Sequence, residues 1–269
     1  MGHFTLLGTI LIFFGGNQWH RIERDVASDI RNQLGDPRAK IRVRMTADGP
    51  VNTAFGTLQR VQVFARDLKM ESLSIYTEPE RNQDGLVKRL DIHFENVVLK
   101  SLRIESLTAT LENCRFDKPL AIGHRRIRVS KSGTGWGQAT ITETALTEFA
   151  AMRYPTLSKP EVKLEYGKVS VSGDVRLPGL VGRVRVLGTL ASPNGSSLAL
   201  THPRIWLNNK RLDSKFRPAV MALMGSFFDI DADLGLAGAV KINTISVRDG
   251  KVTLAGPILL PTRPVEKAR

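Results

Sequence analysis

Five histidines, His3, His20, His93, His124 and His202, are the side chains best suited to proton transfer or metal ligation, and they are scattered. None stands at ligand spacing from a second histidine or from a carboxylate in a metal-binding pattern, so each reads as structural or exposed. Neither a Gly-x-Ser-x-Gly elbow nor a His-Glu-x-x-His helix occurs. The run Asp229-Ile230-Asp231-Ala232-Asp233 has the spacing of carboxylates around calcium. A calcium loop needs Gly directly after the third acid and Glu at its twelfth position. Leu234 and Val240 stand there, and the alternation fits an ordinary strand or helix exit. Cys114 is the one cysteine, which excludes an intramolecular disulfide and any zinc site built on several cysteines. The glycine-rich Ser132–Gly137 lacks the Lys-Ser/Thr that a phosphate-cradling loop carries, and it reads as a flexible connection. No catalytic residue, metal or cofactor is expected. An enzyme whose groups converge from distant positions stays open.

Charge is the stronger signal. Lys+Arg number 39 against 26 Asp+Glu, a formal net charge of +13, which calls for an anionic partner or a solvated basic surface. No acid lies between Lys118 and Thr142, where Arg125, Arg126, Arg128 and Lys131 sit. None lies from Val175 to Leu212, which holds Arg176, Arg183, Arg185, Arg204, Lys210 and Arg211. The three Trp and three Tyr are read as not interleaved with these arginines at stacking distance, which argues against a single-stranded nucleic acid.

The elements that must carry these residues follow from hydrophobic period. The 269 residues, 42% hydrophobic and 24% charged, allow one large domain or two small ones and exclude wholesale disorder or a multi-span membrane chain. Residues 4–16, FTLLGTILIFFGG, are uncharged, too short to span a bilayer alone, and of signal-sequence size. Residues 1–18 are therefore expected to be a signal or membrane anchor, although basic residues and a small-residue cleavage site are missing; a buried helix is the alternative. Trp19–Leu34 puts Trp19, Ile22, Val26, Ile30 and Leu34 on one helical face and stops at Gly35 and Pro37. Ile41–Met45, Leu58–Leu68 and Leu73–Thr77 read as strands. Lys88–Phe116 reads as successive ribs of a meandering antiparallel sheet, with the phrases Phe94-Glu95-Asn96 and Leu111-Glu112-Asn113 recurring. Thr142 caps a short helix to Met152, with Ala145, Leu146, Phe149 and Ala150 inward. From Val162 onward strands and tight turns alternate: Gly167-Lys168, Pro178-Gly179, Asn194-Gly195-Ser196, Asn208-Asn209 and Asp249-Gly250. Within Leu180–Gly188, Leu180, Val184 and Val186 share one face, and Arg183 and Arg185 take the other. Ser214–Phe228 is a second helix, apolar around much of its circumference through Val220, Met221, Leu223, Met224, Phe227 and Phe228. Such a helix is buried on several sides or faces a cavity for an apolar ligand.

The order of the second half then becomes recognisable. It runs hairpin, Pro-Gly turn, Gly-x-Val-x-Val strand, the strand Ile-Trp-Leu-Asn-Asn-Lys-Arg-Leu, an apolar helix, and Ile-Ser-Val-Arg-Asp-Gly-Lys-Val-Thr-Leu-Ala-Gly. It resembles the LmeA-like family of bacterial cell-envelope phospholipid-binding proteins, over roughly Arg21 to Pro257. The resemblance implies an α+β, tubular lipid-binding (TULIP-like) fold. In such a fold a long curved antiparallel β-sheet wraps amphipathic helices and leaves an apolar channel. It also implies an extracytoplasmic envelope location. One domain over 19–258 is expected, in which the glycine-rich segment would join two lobes near 132–140, followed by a flexible tail at 259–269. The expected partners are a phospholipid or anionic lipid and a membrane surface, with no nucleic acid. The lipid-channel candidates are Leu180, Val184, Val186, Val220, Met221, Met224, Phe227 and Phe228. Arg183 and Arg185 are the headgroup candidates. Three rivals remain: a basic β-rich scaffold with a solid core that binds anionic lipid surfaces or envelope proteins, a nucleic-acid module, and a glycolipid-modifying enzyme.

Overall fold

The computed structural model describes residues 16–70, 76–177, 180–212, 228–229, 231 and 238–262. Strand dominates, and the fold is α+β with large, mostly antiparallel sheets. The chain divides into two compact units. The first comprises Met1–Glu95, Leu107–Gly137 and Pro257–Arg269, the second Asn96–Ser106 and Gln138–Gly256.

The first unit begins with α1 (Gly16–Leu34), whose inward face holds Val26, Ala27 and Leu34. Gly35 ends it at φ 69°, a left-handed closure that glycine adopts without strain. The helix packs on β1 (Lys40–Ala47). The Met45 N–H donates to the Glu23 carboxylate at 2.8 Å, and the Arg31 side chain donates to the Ala39 carbonyl at 3.1 Å. A short helix, α2 (Pro50–Ala54), leads into β2 (Thr57–Arg66), which pairs antiparallel with β1. The next partner of β2 is β4 (Gly85–Leu99), and this pair is parallel. β3 (Lys69–Met70) adds to β4.

The expected meander of short ribs over Lys88–Phe116 is instead two 15-residue strands, β4 and β5 (Leu102–Phe116), joined at Lys100 and Ser101. The recurring Glu-Asn phrases are not turns. Asn96 stands at φ 51° and Asn113 at φ 61°, left-handed positions that asparagine tolerates inside a bulged strand. Each inserts one residue and resets the burial phase: Leu90, Ile92 and Phe94 are inward before Asn96, and Val97 and Leu99 after it. Helix α3 (Lys118–His124) follows, capped by Asp117, which accepts the Leu120 N–H at 2.9 Å. β6 (Val129–Lys131) pairs with β5.

The glycine-rich segment expected as a flexible connection runs into β7 (Thr134–Thr142), the neighbour of β5. A methyl carbon built on Gly133 would lie 1.6 Å from the Glu112 carbonyl oxygen, and one on Gly135 2.4 Å from that of Thr110. The glycines serve close backbone approach, not mobility. The Gly133 N–H points at the sulfur of Cys114, 3.4 Å away, and that buried thiol is pushed up by loss of solvation.

In the second unit α4 (Glu143–Arg153) is capped by Thr142 and buries Ala145, Leu146, Phe149 and Ala150, as the pattern predicts. It packs on β8 (Leu157–Glu165). The Val162 N–H donates to Thr147 at 3.0 Å and the Leu164 N–H to Glu143 at 2.8 Å, so the helix satisfies the donors of an edge strand. From β8 the sheet proceeds antiparallel through β9 (Lys168–Leu177), β10 (Leu180–Ala191) and β11 (Ser197–Leu207) to β12 (Lys210–Arg211). β13 (Phe228–Asp229) adds to β11. The expected Pro178-Gly179 turn lies outside the described residues. Asn208 and Asn209 turn at φ 49° and 63°, and Asp249 and Gly250 turn β14 (Thr244–Arg248) into β15 (Lys251–Ile258) at φ 51° and 69°. Both have the paired positive φ of two-residue hairpins.

Across the parallel pair Arg60 faces Arg89, and Asp91 lies between them. Asp91 loses solvation, which raises its pKa, but hydrogen bonds from Thr110, Arg89 and Arg60 outweigh this and hold the carboxyl below its usual range. Its stabilisation is therefore complete above the ordinary carboxylate pKa and fades as pH falls through the lowered one. Asp91→Asn is expected to cost about 2 kcal/mol at neutral pH. Its gap to the wild type should close on acidification in thermal melts from pH 7 to below about 4; a gap constant with pH would refute this. Gly133→Ala should lower stability by about 3 kcal/mol in urea titrations, and an unchanged midpoint would contradict the approach of β7 to β5.

Candidate functional site

Period-two geometry gives the six-stranded sheet of the second unit two chemically distinct faces. Val162, Leu164, Val169, Val171, Val175, Val184, Val186, Leu190, Leu198 and Ile205 are buried on one. Val184 is 4% exposed and Val186 1%, so both are packed against other side chains. Of the other sequence-predicted lining residues, Leu180 pairs with Leu177 at the start of β10. Val220, Met221, Met224 and Phe227 lie outside the described residues, with nearly all of the expected helix. Phe228, expected as its last residue, is in β13 opposite Leu198, because the chain there is extended and pairs with β11.

The opposite face carries the cations. Arg183 bridges Glu161 at 3.1 Å and Asp174 at 3.9 Å, and its backbone N–H donates to the Asn208 side chain at 2.9 Å. These exposed pairs hold it weakly, each contributing about 1 kcal/mol or less. Arg185 stands directly opposite Trp206 in the β10–β11 register, with its guanidinium 4.7 Å from the ring centroid. The expectation that no aromatic reaches these arginines is therefore corrected. The register of a hairpin, set by its turn, brings together residues 21 positions apart in the chain. A signal for it was present: alternation puts Arg204 and Trp206 on one face. Arg211 is opposite Trp206 on its other side. Arg185, Arg204, Lys210 and Arg211 have no carboxylate partner among the described residues.

The other acid-free stretch behaves differently. Arg125 pairs with Asp25 at 3.1 Å, Arg126 with Asp29 at 3.8 Å, and Arg128 with Asp29 at 3.1 Å and Glu78 at 3.7 Å. Arg81 joins Glu78 and Asp117 in the same cluster. Helix α1 thus supplies carboxylates that a linear reading of 118–142 cannot see. This cluster pins elements together, and little of its charge is left for a ligand.

The remaining polar candidates are engaged locally. His93 lies 3.0 Å from the Glu95 carboxylate and edge-on to Phe64, and His20 lies 3.1 Å from Glu23. The His93 contact, with Arg66 beside it, lowers the Glu95 pKa. Asp229 accepts the Asp231 N–H at 2.9 Å, and Asp231 accepts that of Gly238 at 2.8 Å. Among the described residues no three potential metal ligands lie together, and no helix is long and apolar enough to cross a membrane.

Searches of curated proteins and of solved structures find no match to this chain. A family model described as LmeA-like phospholipid-binding matches residues 20–256. With nearly the whole described chain inside that match, the protein belongs to the LmeA-like phospholipid-binding family.

Proposed function

We propose that this protein binds single phospholipids through an apolar channel without chemical turnover, and passes them between membrane surfaces at the outer side of a bacterial envelope. The family match over residues 20–256 is the observation that carries this reading. Physical chemistry supplies the rest. Each methylene of an acyl chain exposed to water costs about 0.8 kcal/mol, so a carrier must enclose the chain along its length. The apolar face of β8–β11 offers such a surface, and we assign Leu180, Val220, Met221, Met224, Phe227 and Phe228 to the same lining. Unbranched methionines adapt to chains of different shape. Arg185, held over Trp206, and Arg183, on the sheet face opposite the apolar one, are the groups we assign to lipid phosphates of the membrane surface, since guanidinium matches phosphate geometry. The uncharged run at 4–16 is assigned to export or anchoring at the membrane.

One observation favours a second reading, a scaffold with a solid core. Val184 and Val186, 4% and 1% exposed, leave no free surface beside β10. An acyl chain lying there would have to displace the side chains that now cover them.

Mass spectrometry of extracts from protein purified without detergent separates the two. A carrier yields phospholipid at near one per chain. The double substitution Met221→Trp and Met224→Trp should then reduce bound lipid several-fold with little change in melting temperature. A solid core yields no lipid, and the same double substitution costs about 1–3 kcal/mol by overpacking.

A further inference from the structure

Cross-strand register fixes what the outward face of the second unit's sheet presents. One row reads Glu161, Ser172, Arg185, Trp206 and Arg211 from β8 to β12. The row beside it reads Lys163, Ser170, Leu187 and Arg204. On the other side Asp174 faces Arg183, and beyond them Arg176 faces Val181. Residues two apart on a strand stand about 7 Å apart, and neighbours on adjacent strands about 5 Å. Arg185, Arg204 and Arg211 therefore stand immediately around Trp206.

The charges of this face are segregated by strand. Its carboxylates, Glu161, Glu165 and Asp174, belong to β8 and β9. Glu161 is held by Arg183 at 3.1 Å and by Lys163 at 3.4 Å. Asp174 lies 3.9 Å from Arg183, and Glu165 faces Lys168 beside the hairpin turn. β10, β11 and β12 add no carboxylate, because the chain has none from Val175 to Leu212. Arg185, Arg204 and Arg211 are exposed, and among the described residues none of them has a carboxylate partner. The β10–β12 half of the face stays positive after its ion pairs are made.

Apolar surface is set among these arginines. Val181 is 66% exposed, and Leu187 and Trp206 are half-buried. A tryptophan at the boundary of water and lipid lays its ring among the headgroups, and each arginine near an anionic leaflet adds attraction. A single-stranded nucleic acid needs free ring faces for successive bases. Trp206 is the one Phe, Tyr or Trp between Lys168 and Arg211, and Arg185 already lies over its ring at 4.7 Å. Membership of a phospholipid-binding family then makes a lipid phosphate the counter-charge.

We infer that the outward face of β10–β12, centred on Trp206, docks on a bilayer surface and selects anionic over zwitterionic phospholipids. The inference rests on the phospholipid-binding reading for the identity of the anion. It adds Arg204, Arg211 and Trp206 to the groups that meet the membrane, and a preference for headgroup charge.

The test sediments the full chain with vesicles of phosphatidylcholine, alone or mixed with phosphatidylglycerol. The wild type should bind the mixed vesicles, leave those of phosphatidylcholine in solution, and come off the mixed vesicles at about 0.5 M salt. Arg204→Gln with Arg211→Gln should weaken binding about 30-fold, with an unchanged melting temperature. Arg42→Gln with Arg44→Gln removes as much charge from exposed positions on β1 of the first unit and should bind like the wild type. Equal losses in the two double variants would show a general charge effect and overturn the face. Equal binding to both kinds of vesicle, or to neither, overturns it too. So does retention on polyglutamate or oligothymidylate without sedimentation, which assigns the arginines to a soluble polyanion. Bound phospholipid measured on the same preparations reports the channel separately. Lipid-loaded protein that ignores the mixed vesicles removes the face alone. Lipid-free protein that binds them through Arg204 and Arg211 keeps the face and removes the carrier.

Discussion

A strand turns successive side chains to opposite faces, and most of this molecule follows from that constraint. Val184 and Val186 are buried while Arg183 and Arg185 between and beside them are exposed. A sheet built this way has an apolar face that must be covered by something equally dry. In the first unit α1 packs on β1, and in the second α4 packs on β8. A slip of one residue would turn the wrong face to the core along a whole strand. The long strands avoid this with residues in the left-handed region: Asn96 in β4, Asn113 in β5 and His202 in β11. Each adds one residue where the alternation would otherwise run out of phase.

Electrostatics on the outer faces follows from the same geometry. Directly opposed arginines repel, and Asp91 between Arg60 and Arg89 relieves one such pair. Arg66 and Glu95 face each other in the parallel register and pair. Asp25 and Asp29 of α1 absorb the positive charge that follows α3. Among the described residues Arg185, Arg204, Lys210 and Arg211, around Trp206 on β10, β11 and β12, have no carboxylate partner, and neither do Arg42 and Arg44 on β1. A chain of net charge +13 thus meets much of its positive charge with its own carboxylates.

Elements whose signal is local were legible from the residues. The helix through Leu34, the Thr142 cap, and the Asn208-Asn209 and Asp249-Gly250 turns each depend on neighbours within four positions. The faces of β10 were legible for the same reason. Glycine-rich Ser132–Gly137 was not, because nothing local distinguishes a mobile loop from a strand whose glycines admit another backbone. The Glu-Asn phrases were visible as a repeat, but whether they mark turns or bulges depends on the partner strand.

The sequence by itself determined the α+β character, the positive surplus and which side chains share a strand face, since these arise from composition and from periods of two and 3.6 residues, while the order of its motifs carried the family resemblance. Tertiary structure alone decided the parallel pairing of β2 with β4, the stacking of Arg185 on Trp206, the capture of Arg128 by Asp29 and the meeting of Lys118 with Ala54. Each of these joins residues many positions apart. Contacts at such range are set by sheet order and register, which no local pattern encodes.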